Sequence, residues 1–265
     1  MALSPSVMGI VNVTPDSFYP DSRTLARDEA VARGRELFDA GCDIVDVGGE
    51  STRPGAASVS DDEERARVLD VVAALARYGP VSIDTQKESV ARAAIAAGAT
   101  VLNDVSSTLV EVAGELGVGY VGMHRRGSAA DMQNDPRYDD VVAEVAAYLR
   151  DVAGRASDAQ VSPLWLDPGI GFGKTTQHNI ALLAHVDQFV ALANEFAAGV
   201  LIGTSRKRFL GELAGGLDVD QRLEGSIATE AWALLQGVSM VRVHDAAAAV
   251  QLRELLTRPV EEVVA

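Results

Sequence analysis

Short apolar runs recur along the chain. Each is followed by a polar turn and then by a stretch whose apolar positions have helical spacing. The first run covers residues 7–13 and carries Asn12 near its end. A polar loop over 16–22 with two aromatics follows, and a helix is predicted from Arg27 to Ala40, stopped by Gly41. The second run, 43–47, opens into Gly48-Gly49-Glu50-Ser51-Thr52-Arg53-Pro54-Gly55. Ser60-Asp61-Asp62-Glu63 then has the form of a capping box, starting a helix expected to last to about Tyr78.

The third run, 81–85, ends in Asp84, and the helix after it stops at Gly98. The fourth, 100–105, ends in Asn103 and Asp104 and leads to a short helix closing near Gly117. The fifth, 119–123, runs into His124-Arg125-Arg126-Gly127, with a long helix from about Asp139. Pro163-Leu164-Trp165-Leu166 delivers Asp167 into Pro168-Gly169-Ile170-Gly171-Phe172-Gly173-Lys174, where three glycines allow tight bends and close approach to a ligand. Residues 178–195 read as one helix. The seventh run, 200–204, leads to Ser205-Arg206-Lys207 and helical segments at about 208–214 and 222–236. The eighth, 240–245, carries Arg242 and His244. A last helix from Ala246 reaches about Leu256, and the tail from Pro259 is expected to fray.

Strand then helix, repeated about eight times with strands apolar on both faces, predicts an α/β fold: a (β/α)8 TIM barrel in a single domain over 1–265. The rival is an open doubly wound sheet, which gathers ligand groups at one switch point instead of at every strand end.

Composition narrows the partners. The 265 residues suit one barrel, and 48% hydrophobic content supplies its core. A net charge of −15 argues against nucleic acid or an anionic membrane as partner, so an anionic substrate must be held by local cations against the overall field. Lysine occurs only at Lys87, Lys174 and Lys207. Cys42 is the sole cysteine, which excludes an internal disulfide and reads as a small buried side chain. With no leader-like segment before the first strand and no apolar run of spanning length, a cytoplasmic protein is expected.

In a barrel the loops after the strands share one face, so Asn12, Thr52-Arg53, Asp84, Asn103, Asp167, Lys207, Arg242 and His244 should converge. A lone Asp after a strand is more often a helix cap than a ligand group, but a polar group at the same place in successive units is hard to explain by capping. The residue types divide. Asp84, Asn103 and Asp167 suit a flat heterocycle rich in N–H groups, since a carboxylate pairs selectively with a guanidine-like edge. Arg53, Arg242 and His244, with Thr52 and Asn12, suit a phosphate or pyrophosphate. Asn12 could also be an oxygen ligand for Mg2+. Lys207 lies between the two classes. Gly173-Lys174-Thr175 looks like the end of a P-loop, but Pro168 stands where that pattern needs glycine, so the stretch reads as a wall of the site.

The chain resembles dihydropteroate synthases over nearly its whole length. The stretches that carry the resemblance are residues 8–18, 46–55, Ser82-Ile83-Asp84-Thr85, Asn103-Asp104-Val105, 167–174, Ser205-Arg206-Lys207 with Phe209-Leu210-Gly211, and Arg242-Val243-His244-Asp245. The resemblance implies condensation of 6-hydroxymethyl-7,8-dihydropterin pyrophosphate with p-aminobenzoate, giving dihydropteroate and pyrophosphate for folate synthesis, with Mg2+ and commonly as a homodimer. It implies that Asp84, Asn103, Asp167 and Lys207 bind the pterin. Asn12, Thr52, Arg53, Arg242 and His244 would hold the pyrophosphate and, through Asn12, its metal. Pro54, Phe172, Ser205 and Lys207 would shape the p-aminobenzoate pocket. Of these, Asp84, Lys207, Arg53 and Asn12 would be the catalytic group.

The chain departs from the family's usual pattern at Phe18-Tyr19-Pro20-Asp21-Ser22, at Arg125 and at Thr204. These changes bear on loop closure and on the response to sulfonamides, which mimic p-aminobenzoate. Two rival functions share the barrel: a pterin-binding methyltransferase domain, which needs no pyrophosphate site, and a non-catalytic paralogue. The apolar segment 227–235 is a candidate for a dimer face and equally for barrel packing.

Overall fold

The computed structural model describes residues 5–13, 20–50, 58–128 and 131–258, excluding the side chains of 20–25. Eight parallel strands close on themselves in sequence order: β1 (Ser6–Asn12), β2 (Ile44–Gly48), β3 (Val81–Asp84), β4 (Val101–Asp104), β5 (Gly119–Met123), β6 (Leu164–Asp167), β7 (Gly199–Ile202) and β8 (Met240–Val243), with β8 paired back onto β1. The predicted barrel is the one observed. The connecting helices are α1 (Pro20–Asp39), α2 (Asp61–Leu75), α3 (Glu88–Ala96), α4 (Val110–Leu116), α5 (Val141–Asp158), α6 (Thr176–Ala184), α7 (Val186–Glu195), α8 (Arg208–Leu213), α9 (Leu223–Leu235) and α10 (Ala246–Thr257).

Three boundaries differ from expectation. Helix α1 begins at Pro20, not Arg27: proline lacks the N–H that the first helical turn leaves unused, and residues 21–26 contain no breaker. Helix α2 stops at Leu75, three residues early, although Ser60 caps it as expected by accepting the Glu63 N–H. The helix expected over 178–195 is two, hinged at His185 (φ −116°, ψ 27°), whose ring nitrogen lies 2.8 Å from the Ala181 carbonyl. Neither Gly nor Pro marks that break in the sequence.

Strand alternation sorts the side chains into two apolar sets. The larger lies between strands and helices and includes Val45, Val47, Ile83, Leu102, Tyr120, Leu166 and Ile202. The smaller fills the barrel itself: Met8, Ile44, Val101, Val121, Leu201 and Met240, with Trp165 packed against them. Two residues further along each strand, on the same inward face, stand Ile10, Asp46, Asn103, Met123, Asp167, Gly203 and Arg242. Asp84 stands at the same height on β3, paired with Asn103 on β4. An apolar plug therefore closes the N-terminal end and gives way to polar groups at the C-terminal end.

A buried carboxyl on α9 lies apart from that layer. Glu230 on α9 is 1% exposed, and its Oε2 has no hydrogen-bond partner among the described residues. Burial, reinforced by Asp245, pushes its pKa up to about 8. An acid raised on folding stabilises the fold below its unfolded pKa and loses that contribution as pH climbs to the folded value. Urea unfolding should therefore show stability falling between about pH 5 and 8, at up to about 1.4 kcal/mol per pH unit. Glu230→Gln is expected to flatten that slope and to be the more stable protein at pH 8.

Candidate active site

The polar layer above the plug is a bonded network. Arg242 on β8 donates from Nε to Asp46 Oδ2 (2.7 Å) and from Nη2 to Asp84 Oδ2 (2.8 Å). Asn103 on β4 donates its amide to the same Asp46 oxygen at 2.9 Å. Asp46, Asp84 and Asn103 are all buried. Each acidic residue keeps a second oxygen without a donor: Asp46 Oδ1 and Asp84 Oδ1 are buried acceptors that nothing among the described residues satisfies. Such groups are costly unless something pairs with them. Burial pushes the Asp84 carboxyl up; the Arg242 guanidinium pulls the other way, and Asp46 reinforces the rise.

Asp167 ends β6, buried, and accepts the Gly169 N–H at 2.7 Å. Burial raises its pKa, opposed chiefly by Lys207. Lys207 caps the start of α8. Its ammonium donates to the Ile170 carbonyl and lies 4.8 Å from the centre of the Phe172 ring. Burial lowers Lys207 to about 8, against the pull of Asp167. An ammonium below its ordinary value beside a carboxyl above its own is a site where protons and charge can shift with the ligand.

The loop between them depends on two glycines. Gly169 (φ +71°) and Gly173 (φ +64°) are left-handed, and a Cβ would stand 1.8 Å from the His124 carbonyl oxygen at the first and 2.2 Å from the Arg126 carbonyl oxygen at the second. On the far side of the mouth, His244 donates its backbone N–H to Ser205 Oγ at 3.1 Å, with the ring Nδ1 3.2 Å from the same hydroxyl. Arg206, between Ser205 and Lys207, makes a two-pronged ion pair with Asp245, 2.7 Å in each arm. That pair ties the turn after β7 to the turn after β8. Asn12, exposed, ends β1 beside Gly48.

A family profile described as "Pterin binding enzyme" matches residues 8–244. The dihydropteroate synthase of Escherichia coli (strain K12) is 43% identical over 249 residues, covering 91% of this chain and 86% of that one. The chain belongs to the dihydropteroate synthase family. The Xanthomonas albilineans dihydropteroate synthase solved with 4-aminobenzoic acid superposes with a TM-score of 0.87 at 42% identity, covering 100% of this chain and 94% of that one. The same enzyme in complex with 7,8-dihydropteroate gives 0.84 at 39% identity, over 100% and 95% of the two chains.

A dihydropteroate synthase barrel thus brings Asp84, Asn103, Asp167, Lys207 and Arg242 to one end, as the strand-end pattern implied, with Phe172 over Lys207 and Ser205 against His244. Arg242 was grouped with the anion-binding set, yet its guanidinium lies among the carboxylates expected to face the heterocycle. Thr52, Arg53 and Pro54 lie outside the described residues, as does most of the unusual first loop, residues 14–19. Asp46 is the residue that sequence reasoning missed. A carboxylate within the apolar run Ile44-Val45-Asp46-Val47 was its signal, because Asp46 shares the inward parity of Ile44. Asp104, named with Asn103, faces the other way: it accepts the Thr108 and Leu109 N–H groups and the Tyr120 hydroxyl, and so serves structure.

Proposed function

We propose that this dihydropteroate synthase holds its pterin in the layer formed by Asp46, Asp84, Asn103, Asp167 and Lys207, and ionises it before the amine attacks. The observation that carries the reading is the pair of unsatisfied buried acceptors, Asp46 Oδ1 and Asp84 Oδ1, beside Asp167 in a layer that also offers the Asn103 amide and the Lys207 ammonium. An aminopterin edge carries the N–H donors that such acceptors require, and its carbonyl suits a cation.

In the reaction the bond between the pterin methylene and pyrophosphate oxygen breaks, and the electron pair leaves with pyrophosphate. The electron-rich ring spreads the resulting positive charge, which the surrounding carboxylates favour. The neutral amine of p-aminobenzoate then forms the C–N bond and releases its proton to solvent. No strong base is required, since a carbocation accepts a weak nucleophile. Arg242, with its guanidinium already between Asp46 and Asp84, supplies positive charge toward the departing group, and His244 at the mouth supplies hydrogen bonds, together with Thr52 and Arg53. Pro54, Phe172, Ser205 and Lys207 border the p-aminobenzoate pocket.

Magnesium fits this donor set. Among the described residues no group of three or more His, Cys, Asp or Glu is arranged to hold a metal. Asn12 at the end of β1 would offer the ion its amide oxygen, with water and the substrate's phosphates supplying the rest of its oxygen ligands. Held there, magnesium would supply positive charge to the leaving pyrophosphate.

Calorimetric titration tests the reading. Pterin pyrophosphate should bind, more weakly when Mg2+ is chelated, while the pterin alcohol without pyrophosphate should be indifferent to chelation. Binding of methyltetrahydrofolate with no affinity for the pyrophosphate ester would favour a methyltransferase and sink the synthase assignment.

The same proposal places the enzyme in the cytoplasm as a homodimer. Cys42 is free and buried, and among the described residues no helix is long and apolar enough to cross a membrane. On α9, Ala233 is buried in barrel packing while Trp232 (47% exposed) and Leu235 (67%) are exposed. The Trp232 indole donates to the Leu183 carbonyl at 2.8 Å, which ties α9 to α6, and the exposed apolar side chains of α9 suit a second copy of the chain.

A further inference from the structure

We infer that Lys174 is a positioning residue for the aromatic amine: from beneath the loop after β6 it fixes the backbone that sets the Phe172 ring. The inference rests on the synthase reading and deepens it.

Residues 169–173 have no regular secondary structure, so their carbonyls need donors from elsewhere. Each of the five has a side-chain donor. Lys174 Nζ donates to Gly169 O (2.9 Å) and Phe172 O (3.0 Å), and Lys207 donates to Ile170 O. Gln133 donates to Gly171 O at 2.7 Å, and the Tyr138 hydroxyl donates to Gly173 O at 2.9 Å. Of these donors Lys174 is the least exposed, at 3%, and it is the one that holds two of the carbonyls. It also reaches the end of β5, lying 3.0 Å from His124 Nδ1 and 3.3 Å from His124 O. The imidazole, held neutral by burial, can accept there. One lysine nitrogen thus joins the end of β5 to both sides of the loop.

The hold matters because of what Lys207 must do. Lys207 helps to secure the loop through Ile170 O, but it is also paired electrostatically with Asp167 and, on the synthase reading, is the ammonium that meets the substrates. Whatever Lys207 gives up when ligands arrive, Lys174 retains. Phe172, placed by its carbonyl on Lys174 and by its N–H on Gly169 O (3.1 Å), then keeps its ring over Lys207. A lysine that merely satisfied buried carbonyls would affect stability and both substrates alike.

Lys174→Met keeps the length and removes the donors. It is expected to raise KM for p-aminobenzoate about tenfold or more, with KM for pterin pyrophosphate within about threefold of wild type. Tyr138→Phe, which removes one loop carbonyl's donor from a part-exposed position, should shift KM for p-aminobenzoate in the same direction by about twofold to fivefold at near wild-type Tm. Hydrogen exchange without ligand gives an independent reading: amides of 169–173 should exchange faster in Lys174→Met, with β7 and β8 unchanged. Equal losses toward both substrates, or unchanged exchange in the loop, would overturn the inference. A wild-type protein that makes no dihydropteroate would instead remove the synthase reading, and the exchange comparison would still decide whether Lys174 holds the loop.

Discussion

Asp167→Asn is expected to lower kcat/KM for pterin pyrophosphate by about 10³-fold, mostly through KM. The carboxylate stands buried at the end of β6 with one oxygen accepting the Gly169 N–H. A guanidine-like edge offers two parallel N–H groups, and a carboxylate accepts both. Asparagine keeps one acceptor and turns an NH2 toward the second donor, so one charge-assisted bond is lost and two donors meet. Each such bond is worth about 1.5–3 kcal/mol, and an unpaired buried donor costs about as much again. The fold should survive, because the asparagine oxygen can still accept from Gly169. Titration with pterin pyrophosphate should show the loss directly at unchanged Tm. A variant that bound it as wild type does would remove Asp167 from the pterin contacts.

Arg242→Ala should abolish measurable turnover and destabilise the protein by about 3–5 kcal/mol, the usual cost of stripping one partner from a buried ion network. The guanidinium is the cation bonded to both Asp46 and Asp84. Without it two buried carboxylates face each other uncompensated, and Asp84, which burial already raises, is pushed further up. The sign of the pH effect follows: an acid raised in the folded state stabilises less as pH rises through its folded value. The variant should therefore recover stability on acidification from pH 8 toward pH 5, whereas its activity should not return. Chemical unfolding across that range, beside a turnover assay, checks both halves.

What the sequence revealed follows from what strand alternation and strand ends can encode. Asp84, Asn103 and Asp167 were legible because each closes a short apolar run, and a barrel sends all such ends to one face. Asp46 was obscured because it stands inside its run; only the register against β1 and β3 shows that it rises to the same layer. The partnership of Arg242 with Asp46 and Asp84 spans 196 and 158 residues, which no local pattern reports. Lys174 was visible as a charge after a glycine loop, but its acceptors on His124 come from another unit of the barrel. The clamp on Lys87, which donates to Glu64 and to Glu50 and Val59 on either side of residues 51–57, is hidden for the same reason. The break at His185 has no Gly or Pro to announce it; a side-chain contact with a carbonyl one turn earlier accompanies it.

Turnover decides the matter most directly. Purified protein is mixed with 6-hydroxymethyl-7,8-dihydropterin pyrophosphate, p-aminobenzoate and Mg2+, and dihydropteroate is followed by mass spectrometry while released pyrophosphate is counted. The layer built on Asp46, Asp84, Asn103, Asp167 and Arg242 predicts one dihydropteroate for each pyrophosphate in the wild type and none in Arg242→Ala. Pterin pyrophosphate that binds to the wild type but is never converted, with or without p-aminobenzoate, would contradict it.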